Sequence, residues 1–137
     1  MATKVIIHAT VAAPREKVWA GYTLPEHITK WNFATDDWQC PSASNDMRVG
    51  GKYAARMEAK DGSFGFDFEA IYNAVDPGNS FTYTMPDGRV VDAVFSDNGN
   101  STDVAITFDA ETMNPVEMQQ AGWQSILNNF KKYMESI

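Results

Sequence analysis

One cysteine in 137 residues excludes an internal disulfide, and two histidines leave no cluster with metal-ligand spacing. Cys40 precedes Pro41, has no basic neighbour and sits in no nucleophile motif, so it reads as a small buried hydrophobe. His27 has no His or Cys partner nearby and reads as a surface or hydrogen-bonded side chain. Cations are scarce: eleven Lys and Arg against eighteen Asp and Glu leave a formal charge of −7. The chain therefore lacks the basic stripe that counterion release from nucleic acid demands, and direct DNA or RNA binding is not expected. No apolar run reaches 18 residues, and MATKVIIHATVAAP has no apolar core of a signal peptide, so no membrane insertion is expected and the location is read as cytoplasmic. Asn100-Ser101-Thr102 matches a glycosylation triplet but reads as a turn in that setting. The G-x-S-x-G elbow, the phosphate loop G-x-x-x-x-G-K-[ST] and the G-x-G-x-x-G fingerprint are all missing, and neither cofactor nor metal is expected.

What is present is an ordinary globular composition, 44% hydrophobic and 21% charged, of a length that fits one domain over residues 1–137. Aromatic residues stand out, with eight Phe, five Tyr and four Trp; such rings either fill a core or line a cavity. Val5, Ile7, Ala9 and Val11 alternate with Ile6, His8 and Thr10, the period of a half-buried strand. Pro14 suits a first helical position, and Val18, Trp19 and Tyr22 form the apolar stripe of a short helix. Thr23-Leu24-Pro25-Glu26 then has the spacing of a capping box and opens a second short helix through about Trp31.

From Asp36 to Asp109 the period changes to two. The turn dipeptides Asp61-Gly62, Pro77-Gly78, Asp87-Gly88 and Asn98-Gly99 cut alternating runs into an antiparallel meander. Each run offers one apolar side: Tyr53, Ala55 and Met57; Phe64, Phe66, Phe68 and Tyr72; Phe81, Tyr83 and Met85; Val91, Ala93 and Phe95; Val104, Ile106 and Phe108. Gly50-Gly51 predicts a bulge or sharp bend that curves the sheet. Asn114 as cap, Pro115 in the first turn and Glu117 completing a box predict a final helix of about 30 Å. Gln119, Trp123, Ile126, Phe130 and Ile137 lie near its apolar stripe, flanked by Leu127 and Met134, while Lys131 and Lys132 suit its C-terminal dipole. The element order is α+β: a curved antiparallel sheet of about seven strands, two short helices after the first, and a long helix over the concave face. A helix resting on a bent aromatic sheet leaves an apolar cleft of the kind that holds small molecules.

The candidate pocket residues follow from inward parity, from the helix stripe and from the helix-to-sheet junction: Trp31, Phe33, Trp38, Tyr53, Met57, Phe66, Phe68, Tyr83, Trp123 and Phe130. Arg89 shares the parity of Val91 at a hairpin end, within reach of a ligand carboxylate or of water. Gln119, with Tyr53 and Tyr83, supplies the polar groups an enzyme working in the cleft would use, although no catalytic residue is assigned. Asp67 and Glu69 have the parity opposite to Phe66 and Phe68 and are expected to face water, as is His8.

Ala13-Pro14 with Val18-Trp19, the run Asp46-Met47-Arg48-Val49-Gly50-Gly51-Lys52-Tyr53, and Gly122-Trp123 followed by Ile126-Leu127 carry a family resemblance over nearly the whole chain. The chain resembles START-like (SRPBCC) proteins, the superfamily of the birch-pollen allergen, and within it the branch named after the activator of heat-shock-protein-90 ATPase. The resemblance implies a helix-grip fold enclosing a hydrophobic cavity. It departs where many relatives carry a tryptophan pair, since Trp31-Asn32-Phe33-Ala34-Thr35-Asp36-Asp37-Trp38 stands here, which implies a differently shaped mouth. The function expected is non-catalytic binding of a small hydrophobic, aromatic or lipid-like molecule by a monomer. The alternatives are a co-chaperone-like module that binds a chaperone or other protein through loop residues such as Phe33 and Trp38, and a cyclase or hydrolase using the same cavity.

Overall fold

A computed structural model describes residues 3–137; Met1 and Ala2, part of the expected 1–137 domain, lie outside the described residues. The elements run β1 (Lys4–Val11), α1 (Arg15–Thr23), α2 (Pro25–Trp31), β2 (Trp38–Asn45), β3 (Lys52–Ala59), β4 (Gly65–Asp76), β5 (Ser80–Thr84), β6 (Val90–Asp97), β7 (Thr102–Asp109) and α3 (Val116–Ser136). The strands form one antiparallel sheet in the order β1-β7-β6-β5-β4-β3-β2, a meander whose last strand takes β1 as its outer neighbour. The sheet curls around α3, so the α+β helix-grip architecture expected from the element order is the one observed. No helix among the described residues is long and apolar enough to cross a membrane.

Period-two patterning puts the predicted faces inward. Val5, Ile7, Ala9 and Val11 of β1, Phe81 and Tyr83 of β5, Val91, Ala93 and Phe95 of β6, and Val104, Ile106 and Phe108 of β7 are all buried. Two register shifts interrupt the pattern. One lies between Gln39 and Ser42 of the edge strand β2, where Pro41 has no N–H for a ladder. The other lies between Tyr72 and Ala74 of β4, where Asn73 is the extra residue. Beyond it the inward parity changes, and Val75 rather than Ala74 sits opposite Phe81. At the other end Phe64 falls before β4 and is 60% exposed, so it does not share the inward face of Phe68 and Tyr72.

The helix caps differ from the sequence expectation. Thr23 closes α1 in helical conformation, and its hydroxyl donates back to the Trp19 carbonyl at 2.7 Å. No capping box with Glu26 forms; Leu24 stands at the cap of α2 and Pro25 takes its first position. Pro14 likewise precedes α1 rather than entering it. Asn114 is occupied by Glu111, to which its backbone N–H donates at 2.7 Å, and Pro115 is the residue at the cap of α3. Lys131 lies a turn short of the helix end and pairs with Glu135 at 2.6 Å. The buried centre of the α3 stripe is Leu127, Phe130 and Met134, with Ile137 outside the helix and exposed.

Aromatic contacts join the layers. Trp123 of α3 stacks on Phe108 of β7 with centroids 4.1 Å apart, and Trp19 and Tyr22 of α1 meet Phe95 at 5.2 and 5.5 Å. Gly50 and Gly51 fold the β2–β3 connection onto β4. Gly50 has a positive φ of 85° and donates to the Tyr72 carbonyl at 2.9 Å, while the Gly51 carbonyl accepts from Tyr72 N–H at 3.0 Å. A Cβ on Gly51 would stand 2.1 Å from the backbone oxygen of Asp46, which cannot swing away as a side-chain end does. Gly51→Ala is therefore expected to lower the unfolding free energy by about 2 kcal/mol, in the overpacking range, as read by urea denaturation. An unchanged midpoint would show that this connection yields freely.

Candidate functional site

A cavity of about 270 Å³ lies between the concave face and the helices. β3 contributes Tyr53 and Met57, β4 Phe66, Phe68 and Tyr72, and β5 Phe81 and Tyr83. Trp123, Ile126 and Leu127 of α3 face them, and Tyr22, Thr23, Trp31 and Asn32 close the side next to α1 and α2. Asn45 enters from the end of β2, and Ile7 and Ile106 from β1 and β7. The rings buttress one another. Tyr83 lies between Tyr53 and Phe81 in near-parallel stacks of 5.8 and 5.7 Å, and Tyr72 meets Phe81 edge-on at 5.6 Å.

Two amides organise the polar part of the wall. Asn45 accepts the Tyr72 hydroxyl proton at 2.7 Å through Oδ1 and donates through Nδ2 to the Thr23 carbonyl at 2.8 Å. One side chain thus ties the end of α1 to β2 and β4. Asn32 Nδ2 donates to the Tyr53 hydroxyl at 3.4 Å and lies 3.4 Å from Met57 Sδ. Burial pushes the phenols of Tyr22, Tyr53, Tyr72 and Tyr83 well above the ordinary tyrosine value, with mutual repulsion of their charged forms adding to the effect at Tyr22, Tyr53 and Tyr83. All four remain neutral at working pH. Burial also raises the Cys40 thiol, against smaller effects of its hydrogen bonds with Asn32 and Ser42. Among the described residues, no carboxylate, amine, guanidinium, imidazole or thiol belongs to the wall.

Seven of the residues singled out from sequence come together here: Trp31, Tyr53, Met57, Phe66, Phe68, Tyr83 and Trp123. Five do not. Phe130 is wholly buried one layer behind, packed 4.9 Å from Trp31 and 5.0 Å from Tyr22. Phe33 follows the end of α2, where its carbonyl accepts from Asn129 at 3.4 Å. Trp38 packs outside against Phe64 and Phe66 at 5.9 and 6.2 Å. Arg89 turns back on its own hairpin and pairs with Asp87 at 2.7 Å. Gln119 is spent on the connection before α3, accepting from Glu111 N–H and donating to the Asn114 carbonyl, both at 2.8 Å. Asp67 and Glu69 lie opposite to the Phe face and pair with Arg56 and Lys52 at 3.4 and 3.1 Å. His8 is exposed, and His27 Nδ1 lies 2.6 Å from the Tyr133 hydroxyl.

The sequence reading missed the wall residues Tyr22, Asn32, Asn45, Tyr72 and Phe81, and did not single out Thr23 or the aliphatic Ile7, Ile106, Ile126 and Leu127. Tyr22 is one helical turn from Val18, and Tyr72 and Phe81 had inward parity, so their signals were present. Asn45 lies opposite Tyr53 across the β2–β3 pair, a placement that the irregular β2 hides from a period-two reading.

Residues 12–135 match the profile of the family described as Activator of Hsp90 ATPase homolog 1-like protein. The chain is similar to the AHSA1-like protein from Aeromonas hydrophila, with 42% identity and a TM-score of 0.92 over 98% of this chain and 93% of that one. It is also similar to a protein of Cytophaga hutchinsonii, with 45% identity and a TM-score of 0.84 over 97% and 92% of the two chains. A protein of Nitrosomonas europaea, 18% identical, shares the fold at a TM-score of 0.84 over 97% and 94%. No curated protein matches the chain.

The Asn45 bridge gives a direct energetic expectation. Asn45→Ala leaves the Tyr72 hydroxyl and the Thr23 carbonyl without their partner, at a cost of about 1–3 kcal/mol. Tyr72→Phe removes one of those orphans, so a double-mutant cycle by urea denaturation is expected to show a coupling of at least about 0.5 kcal/mol. Strict additivity would mean that the two side chains do not act together.

Proposed function

The chain belongs to the Activator of Hsp90 ATPase homolog 1-like family, and from that premise we propose that it binds a small hydrophobic or aromatic molecule, without turnover, in the cavity between the curved sheet and α3. The observation that carries this reading is the wall itself: a void of about 270 Å³ enclosed by Trp, Tyr, Phe, Met, Ile and Leu side chains. Burying about 150 Å² of apolar ligand surface there contributes roughly 4 kcal/mol before the costs of association. Lipid-like molecules with a compact apolar body fall within the same class. The lack of a titratable acid, base or nucleophile in the wall other than neutral phenols supports carriage or sensing over catalysis. The working unit in this reading is a cytoplasmic monomer.

Native mass spectrometry of freshly purified protein, followed by an amide chemical-shift titration with a lipophilic panel, tests the reading. The expected result is a retained small molecule, or shifts clustered at Trp31, Tyr83 and Trp123; a ligand held at a hundred times its Kd would add about 2.7 kcal/mol to the unfolding free energy. Spectra identical across the whole panel would refute it.

One surface feature favours a second reading, a protein-binding module. Phe64 and Phe66 are 60% and 43% exposed and pack beside Trp38 at the β3–β4 hairpin, an apolar cluster in water. The family description supplies the partner to try, Hsp90. Under ligand binding alone the intact chain leaves Hsp90 ATPase turnover unchanged. Stimulation that disappears in Phe64→Asp would establish the second reading.

A further inference from the structure

The binding reading leaves the polar character of the ligand open, and the cavity wall bears on it. Four phenols converge there, and their hydrogen bonds are unequally satisfied. Tyr72 donates to Asn45, and Tyr53 accepts from Asn32. The hydroxyls of Tyr22 and Tyr83 make no hydrogen bond among the described residues, although Tyr83 is only 7% exposed. Among those residues, the enclosed side-chain oxygen without an aligned hydrogen bond is Asp109 Oδ1, which faces Lys4 at the far end of β7. The Tyr22 and Tyr83 hydroxyls therefore keep access to open space, and the space they line is the cavity. The side-chain acceptors in the wall that carry no proton of their own are Asn45 Oδ1, which already accepts from Tyr72, and Asn32 Oδ1, against three phenol protons, on Tyr22, Tyr53 and Tyr83, that are not donated to Asn45.

We propose that the cavity selects an uncharged ligand bearing a hydrogen-bond acceptor, a ketone, ester or ether oxygen on an aromatic or polycyclic frame, with the Tyr83 and Tyr22 hydroxyls donating to that oxygen. This rests on the binding reading above and adds the ligand's chemical class. An anion is disfavoured because no cation lines the wall and a buried carboxylate keeps its full desolvation cost. The protein's charge of −7 opposes its approach as well. A cation meets ring faces but no carboxylate to neutralise it. A plain hydrocarbon fills the space but leaves two buried donors unpaired, and a site built to hydrogen-bond an oxygen discriminates against a ligand that lacks one. Burial raises both phenols above the ordinary tyrosine value, so both hydroxyls carry their protons at pH 7.

Four probes on one ring system separate these cases: 2-acetylnaphthalene, 2-ethylnaphthalene, 2-naphthoate and trimethyl(2-naphthyl)ammonium, each titrated by amide chemical shift at pH 7. The ketone is expected to bind about tenfold more tightly than the hydrocarbon and than either ion. Tyr83→Phe is expected to weaken the ketone about fivefold and to leave the hydrocarbon within about twofold. Tyr22→Phe, removing the other donor, provides the same comparison should Tyr83→Phe disturb the fold. Hydrocarbon binding equal to or tighter than the ketone, ketone binding indifferent to both substitutions, or preference for either ion would overturn the proposal while leaving ligand binding in place. If no probe binds at all, including the hydrocarbon, both the proposal and the binding reading beneath it fail.

Discussion

A seven-stranded sheet at about 4.8 Å per strand is roughly 29 Å wide, whereas one helix with its side chains is about 10 Å across. That mismatch governs the rest of the structure. The apolar face of the sheet is too wide for α3 to cover while flat, so the sheet curls and the space beyond the helix needs other material. α3 covers the β1 and β7 side, anchored by the Trp123–Phe108 stack. α1 supplies Trp19 and Tyr22 toward β5 and β6, where they meet Phe81 and Phe95, and α2 supplies Trp31, which packs on Phe130 of α3. Between these two packings the strands β3, β4 and β5 keep their rings but receive no full cover. The cavity is the space left between those rings and the side chains of α1, α2 and α3 that line it from the opposite side.

This origin explains why the wall is aromatic and yet hollow. Rigid rings that stack on neighbours in the same sheet hold their positions without a partner from the opposite layer, as Tyr53, Tyr83 and Phe81 do. Flexible aliphatic side chains in the same places would fall into the void. Two amides, those of Asn45 and Asn129, then act as spacers. Asn45 holds the end of α1 to β2 and β4, and Asn129 of α3 holds the Trp31 carbonyl at 2.9 Å. Hydrogen bonds of fixed length at these junctions keep the helices from sliding into the opening.

Much of the architecture was legible because alternation and turn chemistry act locally. Val5 to Val11, the Asp-Gly, Pro-Gly and Asn-Gly turns and the stripe on α3 needed no knowledge of distant residues. The misread positions were those where a local rule competes with a contact from elsewhere. Thr23 is a good cap residue in isolation, but α1 continues through it and its hydroxyl serves that helix. Asn114 and Gln119 fit a cap and an inward stripe, yet Glu111 draws both into one loop network. Phe64 shares the parity of its neighbours but lies past the end of the strand that gives parity meaning. In the site, inward parity found Tyr53, Phe66, Phe68 and Tyr83, while Tyr72 and Phe81 shared that parity without being singled out. The amides stayed hidden because Asn32 lies in a connection and Asn45 follows the register shift at Pro41, where period two loses count.

The same irregularity in β2 has a consequence for the open edges of the sheet. A curled but unclosed sheet presents two ladders of unpaired N–H and C=O groups, the template on which chains add to one another into aggregates. At the β2 edge, Pro41 removes a donor and the register shift bends the strand out of line. At the β1 edge, α3 occupies the ladder with its side chains: Gln124 both accepts from His8 N–H and donates to His8 C=O, Gln120 reaches the Ile6 carbonyl, and just past the strand the Glu135 carboxylate accepts from Ala12 N–H. The helix that grips the sheet thus also serves as its missing eighth strand. A protein that holds an apolar hollow inside its curled sheet thus keeps both flanks of that sheet guarded against strand addition, so that the hollow does not come at the cost of a sticky edge.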